Sequence, residues 1–193
     1  MAKLTAIVGS VTPPGRLLAA VTAMVERARA ADPVLEASVS NLADVRIAFA
    51  DGRAPAAYGD DTAAVVDRVA GADLVIFATP VYRASFTGAL KNLIDHLPVE
   101  ALMGKPCGII AMGATAHHFL SVEWHLRDVL TWFGAIVAPT GVYLSAADFT
   151  DGALNEGAAA ELDLLVDALS KLGTIAPGGG RPLGPFPLAA RRR

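Results

Sequence analysis

Apolar and polar positions alternate in blocks along this chain, and the blocks switch between two periods. Leu4-Thr5-Ala6-Ile7-Val8 reads as a first strand, and Leu17, Val21, Met24, Val25 and Ala28 then mark the inner face of a helix. Leu35 to Ser40 alternates, with Leu35, Ala37 and Val39 apolar, as a strand nearer a sheet edge does. Val65, Val66 and Val69 mark a second helix, closed by Gly71. Leu74-Val75-Ile76-Phe77-Ala78 is unbroken, the pattern of a central strand covered on both faces, and Thr79-Pro80 is expected to end it. Phe86, Ala89, Leu90, Leu93, Ile94 and Leu97 then form one continuous stripe at helical spacing.

Cys107 to Ala111 is the fourth strand of the pattern. Phe119, Val122, Leu126, Val129, Leu130 and Phe133 give the core stripe of the next helix. A second line on that helix, Leu120, Trp124, Asp128 and Trp132, rises in steps of four on a neighbouring face. Core packing explains such a line, and so does a subunit interface, where Trp is enriched. Ala135 to Leu144 supplies a fifth strand interrupted at Pro139-Thr140-Gly141, and Leu162, Leu165, Val166, Leu169 and Leu172 a last helix. Strands alternating with helices predict a doubly wound five-stranded parallel α/β sheet. With right-handed crossovers the flavodoxin-like strand order 2-1-3-4-5 is the simplest layout. Residues 1–173 are expected to form one domain, and 174–193, rich in Pro, Gly and Arg, a tail that is flexible unless a neighbour holds it.

Composition narrows the function classes. Of 193 residues, 53% are apolar and 18% charged, which excludes a disordered chain. No apolar run approaches the roughly 18 to 20 residues of a membrane span. Met1-Ala2-Lys3-Leu4 leads straight into a strand, so a cytoplasmic protein without a signal peptide is expected. The net charge of −3 disfavours a nucleic-acid binder, and Arg191-Arg192-Arg193 reads as a solvated tail. Cys107 stands alone, and in a strand it reads as a small apolar residue rather than a redox thiol.

Candidate chemistry gathers where strands end, because ligands of open α/β sheets bind outside the strands' carboxyl ends. Gly9-Ser10-Val11-Thr12-Pro13-Pro14-Gly15-Arg16 lies between a strand and a helix, where backbone N–H groups and a helix dipole attract anions. It is neither G-x-G-x-x-G nor a Walker loop, and an ordinary turn has the same composition. Pro80-Val81-Tyr82-Arg83-Ala84-Ser85 and Met112-Gly113-Ala114-Thr115-Ala116-His117-His118 are the corresponding loops of strands three and four. Adjacent histidines without a carboxylate at ligand spacing do not suggest a metal. His96 and His125 read as surface groups on helices, Asp148 and Asp151 as loop boundaries. Asn41 to Asp61 is a long connection, functional, mobile or part of an assembly contact.

The run Ala78-Thr79-Pro80-Val81-Tyr82-Arg83-Ala84-Ser85-Phe86-Thr87-Gly88-Ala89-Leu90-Lys91, together with Gly9-Ser10, resembles the NADPH-dependent FMN reductases of the flavodoxin-like superfamily. It is most similar to the reductase components of two-component alkanesulfonate monooxygenase systems. Thr115, His118, Val122-Glu123-Trp124 and Leu126 fit the same subgroup, and the resemblance runs from about Thr5 to Leu144. It implies FMN across the carboxyl edge of the sheet, with NADPH or NADH as hydride donor and a flavin-dependent monooxygenase as partner. The phosphate would lie on Ser10, Thr12 and Arg16. The isoalloxazine would lie between Pro80, Val81, Tyr82, Arg83 and Ser85 on one side and Gly113, Ala114 and Thr115 on the other, with His118 nearby. Arg83 could pair with a phosphate of NADPH or stay solvated. Gly88 is expected to sit where loop and helix backbone approach the ring. A hydride passes from nicotinamide C4 to flavin N5, so the protein supplies position and electrostatics and needs no catalytic nucleophile.

The chain departs from that pattern after Pro14, where Gly15, Arg16, Leu17, Leu18 and Ala19 stand in place of several hydroxyl residues. Weaker, micromolar FMN binding is therefore expected. An NAD(P)H:quinone or azo reductase with prosthetic FMN, a flavodoxin-type electron carrier and a flavin-less interaction protein are the alternatives. The resemblance also implies a homodimer or homotetramer through the Leu120–Trp132 helix, which in some members of the subgroup carries a π-bulge at the position of Trp124.

Overall fold

The unbroken run at Leu74 becomes the centre of the sheet. In the computed structural model, which describes residues 2–12, 15–176, 180–187 and 190, β3 (Leu74–Pro80) lies between β1 (Lys3–Val8) and β4 (Pro106–Met112). Both pairings are parallel, with Leu4 opposite Leu74 and Val75 opposite Cys107. β2 (Glu36–Asn41) pairs with the outer side of β1. The order β2-β1-β3-β4-β5 is the one that right-handed crossovers predict.

Both faces are covered. α1 (Arg16–Ala31) and α5 (Glu156–Ile175) pack on the face that carries Leu74, Ile76 and Ala78. α2 (Thr62–Ala70), α3 (Gly88–His96) and α4 (Phe119–Trp132) pack on the face that carries Val75 and Phe77. Successive β3 side chains point to opposite layers, and both layers are apolar, so Leu74 to Ala78 carry no polar side chain; the buried Thr79 follows, its hydroxyl accepting Thr87 N–H. Gly108 lets α5 close on β4, since a Cβ there would lie 3.1 Å from Leu169 Cδ1. Thr87 caps α3 by accepting Leu90 N–H, and Asn155 caps α5 by accepting Ala158 N–H.

Several elements differ from the sequence expectation. β3 continues through Pro80, which lies opposite Met112. The missing N–H costs no ladder bond there: β1 has already ended at Val8, and Val81 N–H carries the pairing to β4 by donating to Met112 O at 2.8 Å. The fifth strand is two pieces, β5 (Ile136–Val137) and β6 (Val142–Leu144), and both pair parallel with β4. Pro139 has no donor to offer the ladder. A hairpin of β7 (Phe149–Thr150) and β8 (Ala153–Leu154) precedes α5, turning at Asp151-Gly152, both at positive φ.

Phe119, the first residue of α4, stands 53% exposed rather than in the core, while Val122, Leu126 and Leu130 form the buried side of the helix. α4 is α-helical through Trp124, with no π-bulge. His96 is buried instead of solvated: its Nε2 lies 2.8 Å from Ala48 O and its ring meets Tyr58 edge-on. With Asn92, which binds the carbonyls of Ile47 and Ala48, it pins the long 42–61 connection to α3. Beyond α5, Gly180 N–H donates to Met103 O and the backbone of Arg181 lies against Gly104, so this part of the Pro/Gly-rich segment rests on the body. Pro13, Pro14 and the Arg191-Arg192-Arg193 triplet lie outside the described residues.

Candidate functional site

The carboxyl ends of β1, β3 and β4 lie side by side, and the loops leaving them build the site. Gly9 is gripped from two directions: its N–H donates to Ala78 O at 2.7 Å and its carbonyl accepts Thr87 Oγ1 at 2.5 Å. A Cβ at this position would sit 2.9 Å from Leu90 Cβ, so only glycine lets the loop lie so close to α3. The hydroxyls of Ser10 and Thr12 follow, 2.9 Å apart.

α1 starts behind Gly15, an N-cap with no side-chain hydrogen bond, and its first turn holds no acidic residue. The N–H groups of that turn therefore have no intrahelical partner and the positive end of the helix dipole is not neutralised. They border a cleft of ≈ 230 Å³ lined by Ser10, Thr12, Gly15, Arg16, Leu17, Leu18, Asn41, Pro80 and Met112. Four residues picked from the sequence, Ser10, Thr12, Arg16 and Pro80, thus share one cleft. The Arg16 guanidinium lies 5.2 Å over the Phe149 ring, so the β7–β8 hairpin holds it.

Asn41 was not visible as a site residue in the sequence. It ends β2 and is only 7% exposed; its Nδ2 donates to Asp44 Oδ2 at 3.1 Å, while its Oδ1 has no partner among the described residues. A buried acceptor without a donor, on the wall of a polar cleft, suits a hydroxyl or N–H from a ligand. The one signal available was its place at the carboxyl end of a strand.

After Pro80 the chain makes a four-residue turn. Tyr82 N–H donates to Ser85 O at 2.8 Å and Ser85 N–H to Tyr82 O at 3.0 Å. Its central residues, Arg83 and Ala84, are both left-handed, with φ of 51° and 60°. Glycine would hold these angles without penalty, whereas each residue with a Cβ gives up about 1 kcal/mol. Tyr82, Arg83 and Ala84 are exposed at the tip, and Ser85 Oγ lies 3.1 Å from His125 Nδ1 on α4.

The β4 loop completes the edge. Gly113 N–H donates to Leu144 O at 3.0 Å, and the Tyr143 phenol occupies the space a side chain on residue 113 would need. That phenol donates to Thr115 O at 2.6 Å, and burial raises its pKa, which keeps it a donor. Val81 Cγ2 faces Gly113 across the gap, 3.4 Å from where a Cβ would be. Ala114, Thr115 and His118 are exposed; His118 stands at the start of α4 and is not drawn to the turn or the cleft. At Gly88 no protein atom lies within 4 Å of a Cβ placed there, and the close approach of the β1 loop to α3 is made at Gly9.

The site thus offers backbone N–H groups, hydroxyls and an amide, with a guanidinium from Arg16 at one end and Arg83 at the other. Such a set binds and orients a large polar ligand. A larger hollow of ≈ 500 Å³ lies at the opposite, amino edge of the sheet, but its cations are engaged: Arg29 with Ala37 O, Arg68 with Ser40 Oγ, Lys3 with Glu36. Among the described residues no helix is long and apolar enough to cross a membrane.

Residues 2–150 match the sequence family described as NADPH-dependent FMN reductase. An NAD(P)H-dependent FAD/FMN reductase of Geobacillus thermodenitrificans is 37% identical over 119 residues, 62% of this chain and 64% of that protein. The NADH-dependent FMN reductase SfnF of Pseudomonas putida is 31% identical over 176 residues, 87% of this chain and 91% of that one. The apo crystal structure of an NADH:FMN oxidoreductase (EMOB) superposes with a TM-score of 0.74 at 24% identity, covering 100% of this chain and 97% of the other.

Proposed function

The chain belongs to the NADPH-dependent FMN reductase family, and from that premise we propose that it reduces FMN with NADPH or NADH and passes the reduced flavin to a flavin-dependent monooxygenase in the cytoplasm. The observation that carries this reading is the cleft at the start of α1. It joins uncapped helix N–H groups, Arg16 and the hydroxyls of Ser10 and Thr12 to the unpartnered Asn41 Oδ1. A phosphate suits the first set and a ribityl hydroxyl the second. The residues present fit FMN.

When bound, FMN supplies a ring that accepts a hydride. The protein's part is placement. Pro80, Val81, Tyr82 and Ser85 would line one side of the ring, and Gly113, Ala114 and Thr115 the other. The N–H groups of Val81, Tyr82, Ser85 and Gly113 are used within the protein, so those of Arg83, Ala84, Ala114 and Thr115 would be the ones to stabilise negative charge as it develops. Arg83, exposed at the tip of the turn, would meet a phosphate of the nucleotide. His118, exposed at the start of α4 and outside the cleft, would have to reach the nicotinamide from there.

The phosphate cradle rests mainly on backbone groups and one hydroxyl pair. Each hydrogen bond to a charged group contributes about 1.5 to 3 kcal/mol, so a cradle short of one or two holds FMN in roughly the micromolar range. FMN then arrives oxidised and leaves reduced. The line of Leu120, Trp124 and Trp132 on α4 is exposed, which supports a homodimer or homotetramer through this helix. The test is oxidation of NADPH and of NADH with increasing FMN. A rate that rises from near zero and saturates with added FMN is expected; a rate indifferent to FMN would overturn the reading.

A further inference from the structure

We propose that His125 is a positioning residue: through its hydrogen bond to Ser85 it holds the Tyr82–Ser85 turn in the conformation that presents Tyr82 and Arg83 to the flavin and nucleotide. The proposal rests on reading this turn as the flavin-side loop.

The turn needs an external hold. Arg83 and Ala84 both adopt left-handed backbone angles, which residues with a Cβ disfavour. Packing does not compensate, since Tyr82 is 45% exposed and Arg83 and Ala84 are also at the surface. The two backbone bonds between Tyr82 and Ser85 close the turn on itself without fixing its direction. On the Pro80 side the direction is set by Val81 N–H on Met112 O. On the far side the chain is next anchored at Thr87, whose N–H donates to Thr79 Oγ1 at 3.2 Å and whose hydroxyl donates to Gly9 O. Within the turn itself the backbone groups of Ser85 are already used, and its hydroxyl is the one group of the turn that reaches α4.

That hydroxyl meets His125 Nδ1 at 3.1 Å, from a residue 40 positions away. His125 is exposed, but its neighbours on α4, Val122 and Leu126, are fully buried, so the ring stands on a packed support. The pair is not a nucleophile and its base. Among the described residues no carboxylate bonds the ring to orient it, and hydride transfer calls for no nucleophile. Its consequence is orientation: with the bond in place, the turn is tied to the sheet at one end and to α4 at the other.

The test compares wild type with Ser85→Ala, His125→Ala, the double variant and His125→Asn, which keeps a hydrogen-bonding atom near the place of Nδ1. Two readouts are used. Trypsin cleavage after Arg83 in the apo protein reports the turn itself, and quenching of FMN fluorescence reports flavin affinity. Each alanine variant is expected to raise the cleavage rate and the FMN Kd by roughly three- to tenfold. The double variant should match the singles, because both remove one interaction, and His125→Asn should return both readouts to within about twofold of wild type. Unchanged cleavage in His125→Ala, additive effects in the double variant, no rescue by Asn, or faster cleavage with unaltered FMN affinity would each overturn the proposal. Failure of the wild type to quench FMN would overturn the proposed function instead, and the cleavage series would still decide the turn.

Discussion

Thr87 Oγ1 donates to Gly9 O at 2.5 Å while accepting Leu90 N–H at 3.1 Å, so one hydroxyl joins the loop after β1 to the first turn of α3. Both bonds are buried. Thr87→Val keeps the shape and removes them, leaving an orphaned carbonyl and an uncapped helix. We expect a loss of about 2 to 4 kcal/mol in urea unfolding, with the FMN Kd rising as the Gly9–Ser10 segment loosens. Wild-type stability in Thr87→Val would show that the link carries nothing.

For packing within the protein, glycine matters at position 9 and not at 88. Gly9→Ala places a Cβ 2.9 Å from Leu90 Cβ and must move α3 or the loop, at about 1 to 3 kcal/mol. Gly88→Ala meets open space at the start of α3 and should leave stability equal or slightly higher. Thermal unfolding of the two variants in parallel decides the order.

FMN should behave as a substrate. The purified protein is expected to be colourless after extensive dialysis, and Ser10→Ala to raise the apparent KM for FMN far more than that for NADPH. Asn41→Leu removes an acceptor that has no partner in the protein, so it should weaken FMN binding about tenfold. A yellow protein keeping one FMN per chain would favour a prosthetic flavin and a quinone or azo acceptor.

Trp124 and Trp132 are 63% and 56% exposed on one side of α4. Trp124→Ala combined with Trp132→Ala should shift the mass measured by light scattering towards the monomer. Helical content should not change, because Val122, Leu126 and Leu130 keep the other side of α4 packed. An unchanged mass would place the assembly contact elsewhere.

Cys107 gives stability a pH dependence of known sign. Burial pushes its thiol from 9.0 up to about 12 in the folded chain. Between those values the unfolded state has lost its proton and the folded state has not, so stability present below pH 9 falls as pH rises. Near pH 10.5 the loss is on the order of 2 kcal/mol. Lys105, whose ammonium binds Val69 O and Ala70 O and whose pKa burial lowers, acts in the opposite direction. Urea titrations of wild type and Cys107→Ala at several alkaline pH values separate the two, since only the thiol contribution disappears in the variant. Parallel pH profiles would contradict the assignment.

The sequence by itself determined the layers and their order. The unbroken Leu74–Ala78 run marked a doubly covered strand, the Phe86–Leu97 stripe one helix face, and right-handed crossovers then made these neighbours of β3 the simplest layout. Because ligand loops follow from strand order, Ser10, Thr12, Arg16 and Pro80 could be assigned to one edge before any contact was known. Periodicity, however, reports which side of an element is apolar, not what stands opposite it. His96 looked solvated on a helix until the 42–61 connection folded over it, and Phe119 looked buried until α4 proved to begin at that residue. Gly9 and Gly88 carry the same chemical freedom, and only the 2.9 Å approach to Leu90 Cβ tells which one the packing of loop on helix requires. Asn41 Oδ1 and the Ser85–His125 bond depend on partners that are missing or distant along the chain. Those are pairwise facts, and tertiary packing alone decides them.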